Sequence, residues 1–182
     1  MSFTVHNKTT APAASLPVMD AAEKDFGFLP NLYGALAESP AAIAAYSAVN
    51  EALKQCALSP VEQQIVALTV STENNCNYCV GAHSTIAGMV QMPADILQQL
   101  RQQQTLSDAR LDALRQYTIA VLKHQGWVPA EELKAFQDAG YTRQHMLDTL
   151  SIVALKTLSN YTNHLAHTPL DTQFAEMAWE KQ

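Results

Sequence analysis

Signals that start α-helices recur along this chain, and they constrain its fold more than any other feature. Ser39-Pro40 and Ser59-Pro60 each place a capping serine before a proline at the first helical position. The second of these continues to Glu62, which completes a capping box. Val, Ile and Thr are not gathered into the alternating runs that mark β-strands, whereas Ala, Leu and Gln are abundant. The chain is therefore predicted to be all-α.

The pattern predicts a compact bundle of about nine short helices joined by short loops. At 182 residues the chain is long enough to bury a substantial core, and residues 1–182 are expected to form a single domain. Residues 1–17 are expected to be an extended N-terminal arm, because Pro12 and Pro17 interrupt a helix. Ser107 is predicted to cap a later helix.

Charge and composition exclude several classes of partner. The 11 Lys+Arg and 17 Asp+Glu give a net charge of −6, and no basic cluster is present, so neither nucleic acid nor an anionic membrane is an expected partner. The N-terminal residues lack the apolar or Arg-rich segment of a targeting signal, and no stretch reaches the ~18 apolar residues of a membrane span. We therefore expect a cytoplasmic protein. In that reducing compartment a C-x-x-C pair is more often redox-active or metal-binding than structural.

Cys76, Cys79 and His83 form the pattern C-x-x-C-x-x-x-H. On a helix this spacing puts all three side chains on one stripe. A free thiol with a pKa near 8.5 is only a few per cent ionised at pH 7, but a helix N-terminus, a second thiol and a histidine each favour the thiolate. One thiolate could attack a peroxide oxygen and become a sulfenic acid, which the other thiol resolves as a disulfide. An outside dithiol would then reduce the disulfide, and no metal or other cofactor is required.

Two alternatives use the same residues. The first is a zinc site, which needs a fourth ligand that His164 or His167 could supply only through a tertiary contact. The second is a purely structural role. For the redox chemistry itself, the helix dipole favours Cys76 as the attacking thiol, because it lies nearer the helix N-terminus.

The sequence around the stripe resembles the AhpD-like alkylhydroperoxidases of the carboxymuconolactone decarboxylase superfamily. The resemblance is carried by four segments, which are residues 27–33, 58–66, 70–83 and 160–171. It implies an all-α bundle that assembles as a homo-oligomer, commonly a trimer or a hexamer, and that reduces organic hydroperoxides with an external dithiol. It further implies that Cys79 forms the sulfenic acid, that Cys76 is the proton donor and resolving cysteine, and that His83 belongs to a proton relay.

One position departs from the family pattern. Characterised members place a glutamate twelve residues before the first cysteine as the base of the relay, and here that residue is Gln64, which cannot accept a proton at neutral pH. The nearby carboxylates Glu62 and Glu73 are the candidate replacements. The change also allows a different role for the pair, such as redox sensing or thiol–disulfide exchange with a partner. A lactone decarboxylase is the weakest alternative, because that chemistry does not call for a dithiol.

Three other side chains carry expectations. His164 falls in a polar run that starts at Asn160, and it is a candidate to pack against the cysteine helix. Tyr78 lies between the two cysteines and either donates to a peroxide oxygen or packs in the core. Cys56 is isolated, and we expect a small buried apolar residue there.

Overall fold

The structure, a computed structural model, describes residues 3–181. Within them the chain forms nine α-helices, three short 3-10 helices and no β-strand, which confirms the predicted all-α class. The α-helices are α1 (Leu16–Phe26), α2 (Asn31–Leu36), α3 (Pro40–Ala52), α4 (Pro60–Glu73), α5 (Asn77–Met89), α6 (Ala94–Arg101), α7 (Ala109–Lys123), α8 (Ala130–Asp138) and α9 (Arg143–Ala166). The 3-10 helices are Ala13–Ser15, Leu53–Gln55 and Thr172–Met177.

The predicted helix starts are made by the hydrogen bonds that their sequences specify. The Ser39 side chain accepts from the backbone N–H of Ala42 at the start of α3. At the start of α4, Ser59 and Glu62 exchange both bonds of a capping box. The cap of α7 differs from the prediction by one residue: it is Asp108, because its carboxylate accepts from two N–H groups and its charge is favourable at a helix N-terminus.

The N-terminal arm is shorter than predicted. Helix α1 begins at Leu16 and contains Pro17 in its first turn, where the missing N–H of proline would have no intrahelical partner in any case. Residues 13–15 already form a 3-10 helix. The segment before it is held against α2, because His6 donates its N–H to the carbonyl of Gly34 at 3.0 Å. Gly34 is required there, since a Cβ would lie 2.6 Å from the His6 carbonyl oxygen.

Helix α4 lies at the centre of the bundle and positions the site. Its residues from Ile65 to Thr72 are all buried, and it packs against α5, α7 and α9. Helices α5 and α9 also contact each other, so the stripe of α5 meets one face of α9.

The C-terminal segment covers α5 from the other side. The 3-10 helix at 172–177 packs on α5, where Gly81 permits a close approach. A Cβ at Gly81 would lie 3.1 Å from the Leu170 Cδ1 and 3.3 Å from the Met177 carbonyl oxygen. Across residues 3–181, no helix combines the length and the apolar composition needed to cross a membrane.

Candidate active site

The three stripe residues lie in the first two turns of α5 and at its start. Cys76 is the N-cap of the helix, and Cys79 and His83 follow at one-turn intervals. Both cysteines are free thiols, and each is only 1% exposed. The structure therefore brings the predicted pair together in an enclosed place, under the face of α9.

His83 is held from both sides. Its Nδ1 lies 2.8 Å from the Oε1 of Gln64 on α4, and its Nε2 lies 2.7 Å from the Nζ of Lys156 on α9. An amide oxygen only accepts and an ammonium group only donates, so the ring proton is assigned to Nδ1 and the lone pair to Nε2. Burial, and then the charge of Lys156, hold the pKa of His83 well below its ordinary value. His83 is therefore neutral, with a single tautomer.

Lys156 is the residue at this site that the sequence patterns did not reveal. It is 1% exposed, and within residues 3–181 no carboxylate lies within ion-pair distance of its Nζ. A sequence signal exists, because Lys156 is the one Asp, Glu, Lys or Arg between positions 149 and 163 of α9. It also lies four residues after the buried Ile152, on the same face of the helix. A lone charge on an apolar stripe is a candidate functional residue.

Asn163 contacts both sulfur atoms from α9. Its Nδ2 donates to the Cys79 Sγ at 3.2 Å and lies 3.9 Å from the Cys76 Sγ. Its Oδ1 is buried and has no hydrogen-bond partner in the described part of the chain. Reversing the amide would bring the oxygen against the sulfur, which an anionic sulfur would repel. The orientation therefore agrees with a charge-assisted hydrogen bond to a thiolate.

The two thiols are electrostatically unequal. Burial opposes ionisation of Cys79, but a hydrogen bond from Cys76, the charge of Lys156 and the amides of Asn160 and Asn163 outweigh it and hold the pKa of Cys79 well below its ordinary value. The pKa of Cys76 is raised, because its proton is shared with Cys79 and because it is buried. These effects favour Cys79 as the thiolate, in contrast to the helix-dipole expectation for Cys76, and they leave Cys76 as the proton-bearing partner.

A cavity of about 70 Å³ adjoins Cys79, His83 and Lys156. Because roughly 10–15 Å³ of space open to a water-sized probe holds one water molecule, the cavity has room for a small organic group. Its other walls are mostly aromatic and apolar, and they include Phe26, Leu32, Tyr33, Tyr46, Tyr78, Ile86 and Phe174. A second cavity, of about 180 Å³, is lined by Gln64 and Lys54 among other residues. His83 and Lys156 line both cavities, and the pair forms part of the wall between them.

Tyr78 lines the first cavity and is held in place by two hydrogen bonds. Its hydroxyl donates to the Asp171 Oδ2 at 2.5 Å and accepts from the Leu32 N–H at 3.2 Å. Its proton is therefore engaged by a carboxylate, and its ring packs edge-on against Phe174 at 6.3 Å. Of the two roles considered for Tyr78, the structure favours packing.

The two candidate carboxylates make their contacts elsewhere. Glu62 caps α4, pairs with Arg110 at 2.5 Å and accepts from the Tyr141 hydroxyl at 2.9 Å. Glu73, at the end of α4, is exposed and accepts from Gln103 at 3.3 Å. Among the described residues, neither carboxylate hydrogen-bonds to the two cysteines or to His83, and the polar contacts of His83 come from Gln64 and Lys156 instead.

The expectation for His164 is wrong. His164 is exposed and stacks on Tyr161 at 6.2 Å, whereas Asn160 and Asn163 of the same polar run occupy the buried positions. The reason is the helical spacing, which puts these two asparagines on the stripe of Lys156. Within residues 3–181, no group of three or more His, Cys, Asp or Glu side chains is arranged to hold a metal ion.

Cys56 lies outside the site. It is half-buried rather than buried, and its thiol donates to the Leu58 carbonyl at 3.6 Å. Burial raises its pKa.

The carboxymuconolactone decarboxylase family model matches residues 40–123, from α3 to α7, a span that contains the dithiol pair and His83. This part of the chain is similar to the carboxymuconolactone decarboxylase family. Among curated proteins, none matches the sequence.

Solved structures share the AhpD-like fold over nearly the whole chain. An alkylhydroperoxidase AhpD core, a peroxidase-related protein from Ralstonia eutropha, is 23% identical, with 96% of this chain and 94% of that chain covered and a TM-score of 0.84. A peroxidase-related protein from a Silicibacter species is 16% identical, with coverage of 96% and 95% and a TM-score of 0.79. The debrominase Bmp8, in complex with 2,3,4-tribromopyrrole, is also 16% identical, with coverage of 97% and 95% and a TM-score of 0.79. At such identities these likenesses show the fold and not a shared activity.

Proposed function

We propose that this protein is a thiol-dependent peroxidase that reduces organic hydroperoxides through Cys76 and Cys79. The observation that carries the proposal is the Asn163 Nδ2, which donates to the Cys79 Sγ at 3.2 Å beside a small cavity that Cys79 lines. This contact and the proton of Cys76 favour a Cys79 thiolate. The Cys79 thiolate attacks the terminal peroxide oxygen, the O–O bond breaks, and a sulfenic acid and an alkoxide form. The alkoxide takes up a proton and leaves as an alcohol. Cys76 then displaces the sulfenic oxygen as water and closes the disulfide.

His83 belongs to the path by which protons move during this cycle. Its neutral Nε2 accepts from Lys156, so it can receive a proton when Cys76 attacks. The cycle ends when an external dithiol reduces the disulfide. Because both thiols are 1% exposed, we expect the external dithiol to be a small molecule or to reach the disulfide through a narrow segment. The same enclosure argues against direct exchange with a thiol on a protein surface, and a cytoplasmic location would keep such thiols reduced.

Peptide-mapping mass spectrometry tests the proposal directly. Reduced protein is treated with one equivalent of an organic hydroperoxide, without added thiol. We expect rapid, stoichiometric formation of a Cys76–Cys79 disulfide while Cys56 stays free. Cys79→Ser should abolish peroxide consumption, whereas Cys56→Ser, outside the site, should not change it. Peroxide turnover that survives Cys79→Ser would refute the mechanism.

A second candidate is reductive debromination of a small aromatic ring. It is favoured by the aromatic cavity at Cys79, together with the bromopyrrole that the similarly folded Bmp8 holds in its complex. The Cys79 thiolate would attack bromine, the ring carbon would take up the proton that Cys76 loses, and closure of the disulfide would release bromide. In total, one C–Br bond, one thiolate and one thiol are consumed. One C–H bond, one disulfide and one bromide are formed. Bromide release equal to disulfide formation, on reduced protein with a bromopyrrole, would support this candidate.

We also expect assembly into a homo-oligomer, as the superfamily resemblance implies. Helix α9 carries exposed apolar side chains that suit an interface, namely Leu147, Leu150, Tyr161 and Leu165.

A further inference from the structure

The hydrogen bonds of His83 determine where protons are held beside Cys79. Gln64 engages the Nδ1–H of His83 on the side of α4, and Lys156 engages the Nε2 lone pair. A neutral His83 thus has no N–H left to offer a substrate. The Lys156 ammonium has three protons, of which the His83 contact uses one, and Lys156 lines the same cavity as Cys79. Lys156, and not His83, therefore holds transferable protons toward the reacting group.

The charge balance of the site links the Lys156 ammonium to the oxidation of Cys79 by the hydroperoxide. Lys156 is buried, and a buried ammonium group needs a counter-ion. Within the described chain no carboxylate forms an ion pair with it. Cys79 lines the same cavity, and the charge of Lys156 favours its thiolate, which is the anion available there. When Cys79 is oxidised to a neutral sulfenic acid, Lys156 loses that counter-ion. Transfer of a Lys156 proton to the leaving oxygen then removes the uncompensated buried charge.

We propose that Lys156 is the catalytic acid that protonates the leaving oxygen of the hydroperoxide, in place of a relay built on a carboxylate. This inference rests on the proposed peroxidase function and names a residue that the function alone does not require. It also assigns Gln64 a positioning role, which is to hold the His83 proton on Nδ1 so that Nε2 faces Lys156.

The steps balance around one proton. Cys79 thiolate, Lys156 ammonium and a hydroperoxide give Cys79 sulfenic acid, Lys156 amine and an alcohol. Cys76 then loses its proton to His83 or to the Lys156 amine, its sulfur attacks Cys79, and the departing hydroxide regains that proton as water. Reduction of the disulfide by an external dithiol yields a Cys76 thiol and a Cys79 thiolate, and the remaining proton returns to Lys156. Each turnover thus restores the starting Lys156 ammonium and Cys79 thiolate.

Two oxidants with different leaving groups isolate this step. The tert-butoxide that leaves tert-butyl hydroperoxide is a strong base and needs a proton donor, whereas the acetate that leaves peracetic acid does not. The single-turnover rate of Cys79 oxidation is measured with each oxidant by quenched-flow mass spectrometry. The ratio of the two rates cancels any change in the thiolate fraction, because both oxidants react with the same thiolate.

Lys156→Arg keeps the charge but cannot give up a proton at neutral pH. We expect it to keep peracetic acid oxidation within a few-fold of wild type, and to lower the ratio of the tert-butyl hydroperoxide rate to the peracetic acid rate by about 10²-fold or more, the usual contribution of a general acid. Lys156→Met should slow both oxidants and lower the same ratio. It provides a second test where the larger guanidinium does not fit. Lys134→Met, on the exposed surface of α8, is the matched control and should leave the ratio unchanged.

The outcomes separate the two proposals. A wild-type protein that oxidises Cys79 with neither oxidant overturns the peroxidase function and the Lys156 role together. An active wild type whose rate ratio is unaltered in both Lys156 variants overturns only the role of Lys156 as the acid. A ratio that falls in Lys156→Arg while the peracetic acid rate is retained supports it, because a merely structural or charge-balancing lysine would not distinguish the leaving groups.

Discussion

Replacing Asn163 with alanine should raise the pKa of Cys79. The Asn163 Nδ2 donates to the Cys79 Sγ at 3.2 Å, and this hydrogen bond stabilises the thiolate and not the thiol. A hydrogen bond to a charged group contributes about 1.5–3 kcal/mol. At 1.36 kcal/mol per pKa unit, its loss should raise the pKa of Cys79 by about 1–2 units. The pKa of Cys79 is depressed in the wild type, and the substitution removes one cause of that depression. Both proteins therefore hold the thiolate at high pH, but as the pH falls the variant becomes protonated at a higher pH than the wild type.

The assay is the absorbance of the thiolate near 240 nm as a function of pH. The step at lowest pH belongs to Cys79, because the pKa values of Cys56 and Cys76 are both raised, and Cys79→Ser should remove that step. Thr149→Val is a matched control on α9, since Thr149 is also buried and its hydroxyl has no partner among the described residues. It should leave the titration unchanged.

A Cys79 step that stays within about 0.3 units of wild type in Asn163→Ala would refute the reasoning, because a hydrogen bond of the stated strength must move it further. The free energy of unfolding provides a check on the folding of the variant. Part of the cost of removing the amide should be offset, since the substitution also removes the unpartnered Asn163 Oδ1.

Three further perturbations test the surroundings of the site. Gln64→Glu places a carboxylate beside His83 and should raise the pKa of His83 by about 1–3 units, the effect of a charge at about 4 Å in an environment between protein and water. An NMR titration of the His83 ring protons that shows no such rise would contradict the assigned contact. Gly88→Ala should stabilise α5 by about 0.5–1 kcal/mol in thermal unfolding, because nothing lies within 4 Å of the new Cβ, whereas Gly81→Ala should lose that gain to its contacts with the C-terminal segment. Equal gains at the two glycines would contradict the close packing of that segment. Leu165→Glu should dissociate the expected homo-oligomer in light scattering if α9 forms its interface, and a wild-type protein that is already a monomer would rule the assembly out.

The helices were predictable because their signals are local. The serine–proline starts of α3 and α4 and the capping box of α4 each lie within four residues, and the structure confirms them. The errors were also local in origin. Proline interrupts the interior of a helix, but Pro17 lies in the first turn of α1, where proline is well tolerated. Asp108 competes with Ser107 as a cap one residue away.

Only the part of the candidate site formed by residues close together in the sequence could be predicted. The spacing of Cys76, Cys79 and His83 is visible in eight consecutive residues. Lys156 lies 73 residues from His83, and Asn163 lies 84 residues from Cys79, so the packing of α9 on α5 is what brings them to the thiols. The pattern of residues within α5 does not show which residues of another helix contact it. Helical spacing in α9 does group Lys156 and Asn163 on one face, but only the fold shows what that face covers.

The glutamine at position 64 has a physical consequence beyond the absence of a base. A carboxylate there would favour a protonated His83, and an imidazolium Nε2 could no longer accept from Lys156. It would also offer Lys156 a second anion near the first and so weaken the interaction between Lys156 and Cys79. A neutral amide avoids both effects, leaving the thiolate as the anion that balances the buried ammonium. The residue that departs from the family pattern therefore fits this lysine, and exchanging Gln64 alone for glutamate should disturb the charge balance between Lys156 and Cys79 rather than restore a lost relay.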